Sequence, residues 1–231
     1  GTIRPRGAIT LGAHAYFVGG DRFYRINSSG AVTLLGGDIS GTGPVSMACS
    51  SNEIMIVNGT DAFSYKTEDE TIESVGPLST FKTANSVCYI NGYFVFNKTG
   101  TGEFYLSNLL DGRTFDSLAF ATAESSPDSL RAAVNHNGIL ALFGSSSIEF
   151  WENTGAQNFP FSKYGSGNVP RGILSSYMVE TDVTGTFFVG DDRVIYRITG
   201  IQPERISTHA IEGALQRYTT INDGFTFKMS Y

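Results

Sequence analysis

The sequence lacks most of what small secreted proteins and membrane proteins depend on. It has two cysteines, Cys49 and Cys88, which are too few for a disulfide framework and far from any CxxC pattern. It contains no run of 18 apolar residues and no basic-then-apolar leader, so we expect neither a membrane span nor a signal peptide. These absences favour a reducing compartment and free buried thiols.

Basic charge and helical patterns are also scarce. The formal net charge is −6, and the basic residues are scattered one or two at a time, so the long-range field would repel a polyphosphate. We therefore expect no sequence-specific nucleic-acid binding. No segment favours a helix, whereas 27 Gly, 17 Phe and 11 Tyr indicate many short strands joined by tight turns.

One pattern recurs five times along the chain. Each copy is a short apolar run, a turn with Gly or Asn, and an alternating aromatic strand, which together predict a β-hairpin. The copies are "AYFVGGDRFYRI", "IMIVNGTDAFSY", "YFVFNKTGTGEFYL", "LALFGSSSIEFW" and "TFFVGDDRVIYRI". The first turn residues of the five copies are Gly19, Asn58, Asn97, Gly144 and Gly190, so successive copies are 39, 39, 47 and 46 residues apart. Blades of β-propellers repeat at a period of roughly 40 to 50 residues.

A further apolar segment precedes most of the hairpins and a fourth segment follows them, as a four-stranded blade requires. We therefore predict an all-β protein in which residues 1–231 form a single β-propeller domain with about five blades visible. Cys49 and Cys88, 39 residues apart, are expected at the same place on the inner strands of neighbouring blades. The period argues against a β-sandwich and against a β-solenoid, whose coils are usually shorter.

The last stretch, "ALQRYTTINDGFTFKMSY", has the pattern of the first strand of a further blade. An incomplete blade is therefore predicted from about residue 213. We interpret the chain as a piece of a six-bladed propeller that is either unclosed or closed in an unusual way. An open end of this kind would leave strand edges exposed.

No arrangement of residues predicts catalysis, a cofactor or a metal. Glu149 and Glu152 lie three apart on a predicted strand and therefore point to opposite faces, so we interpret them as single charges on a solvated strand face. The histidines are isolated from acidic or cysteine partners at ligand spacing. They are His14, His136 and His209.

One loop partly matches the Asp-box turn of sialidase-like propellers. In "SNLLDGRTF", Gly112, Thr114 and Phe115 are in place, but Leu110 stands where that motif needs aspartate and Asp111 is one residue late. The match therefore fails at its defining residue.

Several segments, taken in order, resemble the packaged-DNA stabilisation proteins of short-tailed phages and related prophages. They are "FYLSNLLDGRTFDSLAFATA", "ESSPDSLRAAVNHNGIL" and "LFGSSSIEFWENTGA", with further matches in "GPVSMACSSNEIMIVNG" and "AIEGALQRYTT". The resemblance covers about residues 16 to 220. It implies a β-propeller and a structural role without catalysis.

The resemblance also implies a place in the virion. A protein of this family would be a head-to-tail connector or tail hub, made in the bacterial host cytoplasm, that closes the portal after packaging and stabilises the packaged DNA. It would stand in a ring of copies, contact the portal and the head-to-tail adaptor, and receive the tail needle. No cofactor, membrane or sequence-specific nucleic acid is expected as a partner.

Loops at the ends of the blades are the predicted subunit or adaptor contacts, because propeller loops often carry partners. The stretches are 125–128, 111–116 and 165–171. The individual candidates are Ser125, Pro127, Asp128, Asp111, Phe115, Phe159, Phe161 and Arg171.

Two other functions stay open from the residues alone. A propeller glycosidase or lyase would need carboxylates that converge at the mouth of the central channel. A generic protein-interaction propeller is the second alternative, although the "WD" and "GH" signatures of one such class are absent.

Overall fold

The computed structural model describes residues 4–75, 83–123, 126–165 and 168–218. Within them the chain forms twenty strands and one helix. The strands are arranged as five separate four-stranded antiparallel sheets, and in each sheet they follow one another in chain order. The predicted all-β fold with five four-stranded blades is confirmed.

Each sheet is a meander of four short strands. The first contains β1 (Pro5–Leu11), β2 (His14–Gly19), β3 (Arg22–Ile26) and β4 (Val32–Gly37). The second contains β5 (Ser46–Cys49), β6 (Glu53–Val57), β7 (Ala62–Lys66) and β8 (Thr71–Ser74). The third contains β9 (Val87–Ile90), β10 (Tyr93–Asn97), β11 (Glu103–Leu106) and β12 (Phe120–Thr122). The fourth contains β13 (Leu130–His136), β14 (Ile139–Gly144), β15 (Ile148–Asn153) and β16 (Phe161–Lys163). The fifth contains β17 (Val179–Asp182), β18 (Gly185–Val189), β19 (Ile195–Ile198) and β20 (Pro203–Arg205). All five predicted hairpins are the turns between the second and third strands.

The first strands of successive sheets lie side by side, in the order β1, β5, β9, β13 and β17, so they form the inner wall of an arc. Four apolar clusters fill the spaces between consecutive sheets. Between the first and second sheets, for example, Val18 and Phe23 pack with Ile56 and Phe63. Successive side chains of a strand point to opposite faces of its sheet. A sheet that lies between two others can therefore bury apolar side chains on both faces.

The two ends of the sheets are built differently. The hairpin end, as we call it, carries the turns between second and third strands and the connectors from each sheet to the next. The opposite end carries the turns between first and second and between third and fourth strands. The pairing of Arg22 with Gly37 shows this arrangement, because the last strand finishes beside the hairpin turn.

Two arginines fasten the connectors at the hairpin end. Arg6 occupies a bulge in β1 between Pro5 and Gly7, and Arg131 occupies the equivalent bulge in β13. Arg6 is 5% exposed, and its guanidinium donates to the carbonyl oxygens of the connector, at 2.7 Å to Gly43 and 2.8 Å to Ile39. Arg131 donates in the same way to the carbonyls of the connector into the fifth sheet. Backbone groups in an irregular buried segment need such partners.

In the second and third sheets, which have no arginine bulge, asparagine side chains bind groups of the connectors. Asn97 is fully buried, its Oδ1 accepts the Ser86 N–H at 2.9 Å, and its Nδ2 donates to the Leu130 carbonyl at 3.2 Å. Asn58 donates to the Ser40 carbonyl at 3.1 Å. The first turn residue is asparagine in these two sheets and glycine in the first and fourth, where an arginine bulge binds the connector.

The helix is a correction to the sequence analysis, which expected none. Residues His209–Gln216 form α1, and the Glu212 carboxylate on it accepts hydrogen bonds from Arg205 at 2.6 Å and Ser207 at 2.7 Å. Polar side chains that lie just before the helix thus bind its first turn. Residues 219–231 lie outside the described part, so the incomplete blade remains a prediction, although its proposed first residues, 214–216, are helical.

The cysteines lie on inner strands, as predicted, but at different positions. Cys49 in β5 pairs with Ile54, and Cys88 in β9 pairs with Val95. Counted from the hairpin end, Cys49 lies two residues further along its strand than Cys88 does. The reason is that the turn after β5 is longer than the turn after β9. Neither cysteine forms a disulfide, and burial raises the pKa of Cys88.

Candidate protein-contact site

The predicted contact residues divide between the two ends of the arc. At the hairpin end lie Pro127, Asp128 and Arg171. At the opposite end lie Asp111, Phe115, Phe159 and Phe161. Ser125 and residues 166–167 of the third predicted stretch fall outside the described residues.

Asp128 holds the serine-rich hairpin turn of the fourth sheet. Its Oδ2 accepts the N–H groups of Ser146 at 2.7 Å and Ser147 at 3.0 Å, and its Oδ1 accepts the Ser147 hydroxyl at 3.0 Å. Gly144 is required beside it, since a Cβ there would lie 2.3 Å from the carboxylate. Asp128 is thus committed to the fold, while its neighbour Pro127 is exposed.

Arg171 lies in the connector between the fourth and fifth sheets. Its guanidinium is 2.8 Å from Asp192 Oδ2 and 3.6 Å from Asp191 Oδ1, and its Cζ lies 5.3 Å from the centre of the Tyr196 ring. The Tyr196 hydroxyl donates to Asp192, and burial together with this bond raises the pKa of Tyr196 to about 12. The Arg171 side chain keeps one third of its surface exposed.

Asp111 lies in the loop between β11 and β12. Its carboxylate accepts from the Thr114 hydroxyl at 2.8 Å and the Arg113 N–H at 3.1 Å, and Lys66 of the second sheet lies 3.3 Å away. Burial alone would raise the pKa of Asp111, but these hydrogen bonds and the ammonium group hold it below the usual value.

The same loop fastens the third sheet to the second. Glu53, 2% exposed, accepts the Gly112 N–H at 3.0 Å and also a hydrogen bond from Ser64. Arg113 donates to Ser64 Oγ at 3.1 Å and lies 3.1 Å from Glu73. A buried carboxylate with these partners ties two blades together, and nothing in the sequence pattern pointed to Glu53.

The three predicted aromatic anchors pack inside the blades. Phe161 is 4% exposed and lies 6.1 Å from the Tyr93 ring, measured between ring centres. Phe159 contacts the Phe104 ring at 5.6 Å. Phe115 packs in the cluster between the second and third sheets. All three rings therefore have packing partners within the protein. Their role in binding a partner stays a prediction.

Comparison with known proteins decides which family has this arrangement. The model of a phage stabilisation family, described as "Bacteriophage P22 Gp10, beta-propeller", matches residues 5–223. The chain belongs to this family. The tail hub protein gp10 of Salmonella phage P22 is 28% identical over 200 residues, which cover 79% of this chain and 42% of that protein. The chain therefore spans less than half the length of this relative.

Membership of the P22 Gp10 family confirms the predicted resemblance and the propeller fold, and it supports a structural phage protein. The five sheets agree with the family match, because the matched range 5–223 begins with β1 and includes all twenty strands.

In this Gp10-family chain an exposed apolar loop accompanies Asp111 and was missed by the sequence analysis. Among its residues, Leu110 is 72% exposed and Leu118 76% exposed, and the backbone of Leu110 has a φ of 60°. A leucine in the left-handed region costs roughly 1–2 kcal/mol. The apolar loop consists of Leu109, Leu110, Leu118 and Phe120. The adjacent leucines in "SNLLDG" were the available signal.

The two glutamates of β15 differ more than the sequence indicated. Glu152 is exposed, but Glu149 is only 2% exposed, so the expectation of a solvated face was wrong for Glu149. The Trp151 indole N–H donates to Glu149 at 3.3 Å, and Lys163 Nζ lies 4.0 Å away. Partners on the same sheet allow this carboxylate to be buried.

Metal-ligand clusters and membrane-spanning helices are both absent from the described part of the chain. No group of three or more His, Cys, Asp or Glu side chains within it is placed to hold a metal ion. In the same residues, no helix has the length and apolar character needed to cross a membrane.

Proposed function

We propose that this chain is the propeller part of a phage tail hub that closes the portal vertex after packaging and stabilises the packaged DNA. The observation that carries the proposal is the match of the P22 Gp10 family model to all five blades. The role is structural, with no catalysis. Three of the carboxylates named from the sequence serve the fold, since Asp111, Asp128 and Glu149 are bound by neighbouring side chains or backbone.

Retention of DNA in this proposal is steric. A net charge of −6 disfavours a hub that grips the genome, because like charges repel. The Tyr177 hydroxyl donates to the Pro44 carbonyl at 3.3 Å. This bond joins the entrances of β17 and β5, which are not neighbours in the arc, and therefore crosses the space around which the inner strands stand. It supports closure by assembled protein rather than passage of DNA along the propeller axis.

The proposed partners are the portal and head-to-tail adaptor ring, other copies of the chain in a ring, and the tail needle. We assign the contacts to the blade ends, including Pro127 and Arg171 at the hairpin end and the apolar loop at the opposite end. Exposed apolar side chains surrounded by polar residues mark protein-interaction sites, and a few anchors usually supply most of the binding energy.

The test is the absolute mass in solution, measured by light scattering at several concentrations, first alone and then with the cognate portal and adaptor assembly. Recruitment of a discrete number of copies is expected. A portal ring without the adaptor is the matched control and should recruit fewer copies. A chain that ignores the complete assembly would contradict the placement of these contacts on the five blades.

A further inference from the structure

The loop that carries the exposed leucines is held in one conformation by groups of the second and third sheets. The Leu110 N–H donates to the Gly92 carbonyl at 2.7 Å, in the turn between β9 and β10. Gly112 packs so closely on the second sheet that a Cβ there would lie 2.7 Å from Met55 Cε and 2.8 Å from Glu53 Oε1. The leucines therefore stand on a backbone that is fixed before a partner binds, which lowers the entropic cost of association.

A second feature, which we call the acidic turn, lies directly beside the apolar loop. It connects β7 to β8 and consists of three exposed residues, Glu68, Asp69 and Glu70. On one side of this turn, Lys66 Nζ lies 3.3 Å from Asp111 Oδ1. On the other side, Arg113 Nη2 donates to Thr71 Oγ1 at 3.2 Å. Because Asp111 and Arg113 belong to the same loop as Leu110, these two contacts place the acidic turn next to the exposed leucines.

The described cations in this region are already paired with carboxylates. The pairs are Lys66 with Asp111, Arg113 with Glu73, and Arg25 with Glu70. Three other exposed carboxylates accept hydrogen bonds, within the described part of the chain, only from uncharged donors, and they are Glu68, Asp69 and Asp116. Asp116 lies between Leu110 and Leu118 in the chain. The surface therefore combines exposed leucines with negative charge that no described cation pairs with directly.

The sign of this charge restricts the partner. A nucleic acid or an anionic membrane surface would be repelled, since both are negatively charged. A second copy of the chain has few cations to offer, because nine of its described lysine and arginine side chains already lie within 4.0 Å of a carboxylate. Arg6 and Arg131 are bound to connector carbonyls. The partner that fits is a different polypeptide with free cations.

We propose that the apolar loop and the acidic turn together bind a polypeptide segment in which apolar side chains are flanked by lysine or arginine. The apolar side chains of the segment pack on Leu110 and Leu118. Its cations lie over Glu68, Asp69 and Asp116, where opposite charges make the two surfaces complementary. The inference rests on the contact role proposed above for the apolar loop, and it adds the chemistry of the partner.

Fluorescence anisotropy with the full chain tests this inference, with a labelled synthetic peptide of alternating leucine and lysine as the probe. Two control peptides keep its length and replace every lysine by glutamate or every leucine by serine. We expect the leucine–lysine peptide to bind more tightly than either control. Raising the ionic strength from about 0.1 M to about 1 M, which shortens the Debye length from about 10 Å to about 3 Å, should weaken its binding.

Charge variants of the chain show whether the peptide binds at the acidic turn. Glu68→Gln with Asp69→Asn keeps the side-chain acceptors but removes two charges. It should raise the Kd about fivefold, as the loss of two exposed ion pairs would. The matched control, Asp21→Asn with Asp38→Asn, removes the same charge at the hairpin end and should leave the Kd nearly unchanged.

Apolar variants test the leucines in the same assay. Leu118→Ser should raise the Kd about fivefold or more, as the loss of an apolar anchor does. Val183→Ser is the matched control, because Val183 is 97% exposed in the turn between β17 and β18, at the same end of the arc but on another sheet. It should leave the Kd nearly unchanged.

Several results would overturn the inference. They are no binding of the leucine–lysine peptide, equal binding of a control peptide, and a control variant that loses as much affinity as its partner. Recruitment to the portal and adaptor ring separates this inference from the proposed function. A chain that is recruited equally well with and without the Glu68 and Asp69 charges would contradict the inference alone. A chain that binds the peptide at these residues but ignores the ring would contradict the proposed function alone.

Discussion

The two ends of the arc use polar groups for different purposes. At the hairpin end, arginine, asparagine and aspartate side chains such as Arg6, Asn97 and Asp128 bind backbone groups of connectors and turns. At the opposite end, the Asp111 loop ties two sheets together, yet the same loop leaves Leu110 and Leu118 exposed. The backbone groups of connectors between blades must therefore find hydrogen-bond partners within the protein. A loop between adjacent strands of one blade can also present an apolar surface to solvent.

The largest effect is expected at the hairpin end, from Arg6→Ala. It removes the donor of several connector carbonyls, including those of Gly43 and Ile39, and should lower the free energy of unfolding by about 3 kcal/mol or more. Urea unfolding measures this. Arg22→Ala is the control, since its side chain is 46% exposed, and should change stability by about 0.5 kcal/mol or less. If both variants lose the same free energy of unfolding, the buried arginine contributes no more to stability than the surface arginine, which would contradict the prediction.

Asp128→Ala should cost about 2 kcal/mol, because it leaves two turn amides without their acceptor. The loss should appear in urea unfolding and as faster hydrogen exchange of Ser146 and Ser147. Asp21→Ala, which replaces a side chain that is 63% exposed, is the matched control. A stable Asp128 variant with unchanged exchange in that turn would show that the aspartate serves a partner instead.

A smaller, pH-dependent effect is expected from His136 at the opposite end. Its ring nitrogens lie 2.7 Å from Thr186 Oγ1 and 2.8 Å from the Gly200 carbonyl, and burial lowers its pKa. Above the unfolded value of about 6.5 both states are neutral. As the pH falls below it, the unfolded chain binds the proton first, so stability should fall, by at most about 1.4 kcal/mol per pH unit.

Urea unfolding between pH 7.5 and pH 5 measures the His136 effect, where both limits are chosen to bracket a pKa of about 6.5. His136→Gln should flatten the slope. If the His136 variant keeps the slope, other groups carry the acid sensitivity.

The smallest effect on stability is expected in the apolar loop. Leu118→Ser should change the free energy of unfolding by about 0.5 kcal/mol or less, since the side chain is 76% exposed. In the proposed assembly the same change should reduce recruitment to the portal and adaptor ring, measured by light scattering. Val32→Ser, in the outermost strand of the first sheet, is the control. Undiminished recruitment of the Leu118 variant would remove this loop from the contact surface.

Much of the fold could be predicted from local pattern. The five hairpins are where the repeated turn chemistry placed them, because a two-residue period and a Gly or Asn turn act within about twelve residues of chain. The single resemblance in the sequence also led to the right family. Burial was harder to predict. Glu149 alternates with apolar residues on a strand that follows a serine-rich turn, a pattern typical of a solvated face. Only the presence of Trp151 and Lys163 beside it shows why it is buried.

The contact role of the candidate residues stays a prediction, but their surroundings in the fold could not be derived from the sequence. Asp111 and Asp128 were chosen as exposed loop residues, but both bind groups that come from other strands or another sheet. Phe161 is an aromatic residue in a short irregular strand, and its burial depends on Tyr93 of the third sheet. Leu110 was noted only as a missing aspartate. A sequence pattern does not record which distant residue will fill the space beside a loop.

The sequence by itself determined the all-β class, the blade period and the hairpins, because these follow from alternation and turn residues that are adjacent in the chain. The tertiary structure alone decided how the blades are fastened. Arg6 binds a connector more than thirty residues away, and Glu53 binds Gly112 of the next sheet. Such contacts depend on the packing of complete sheets, which brings distant backbone groups within hydrogen-bond distance only after the arc has formed.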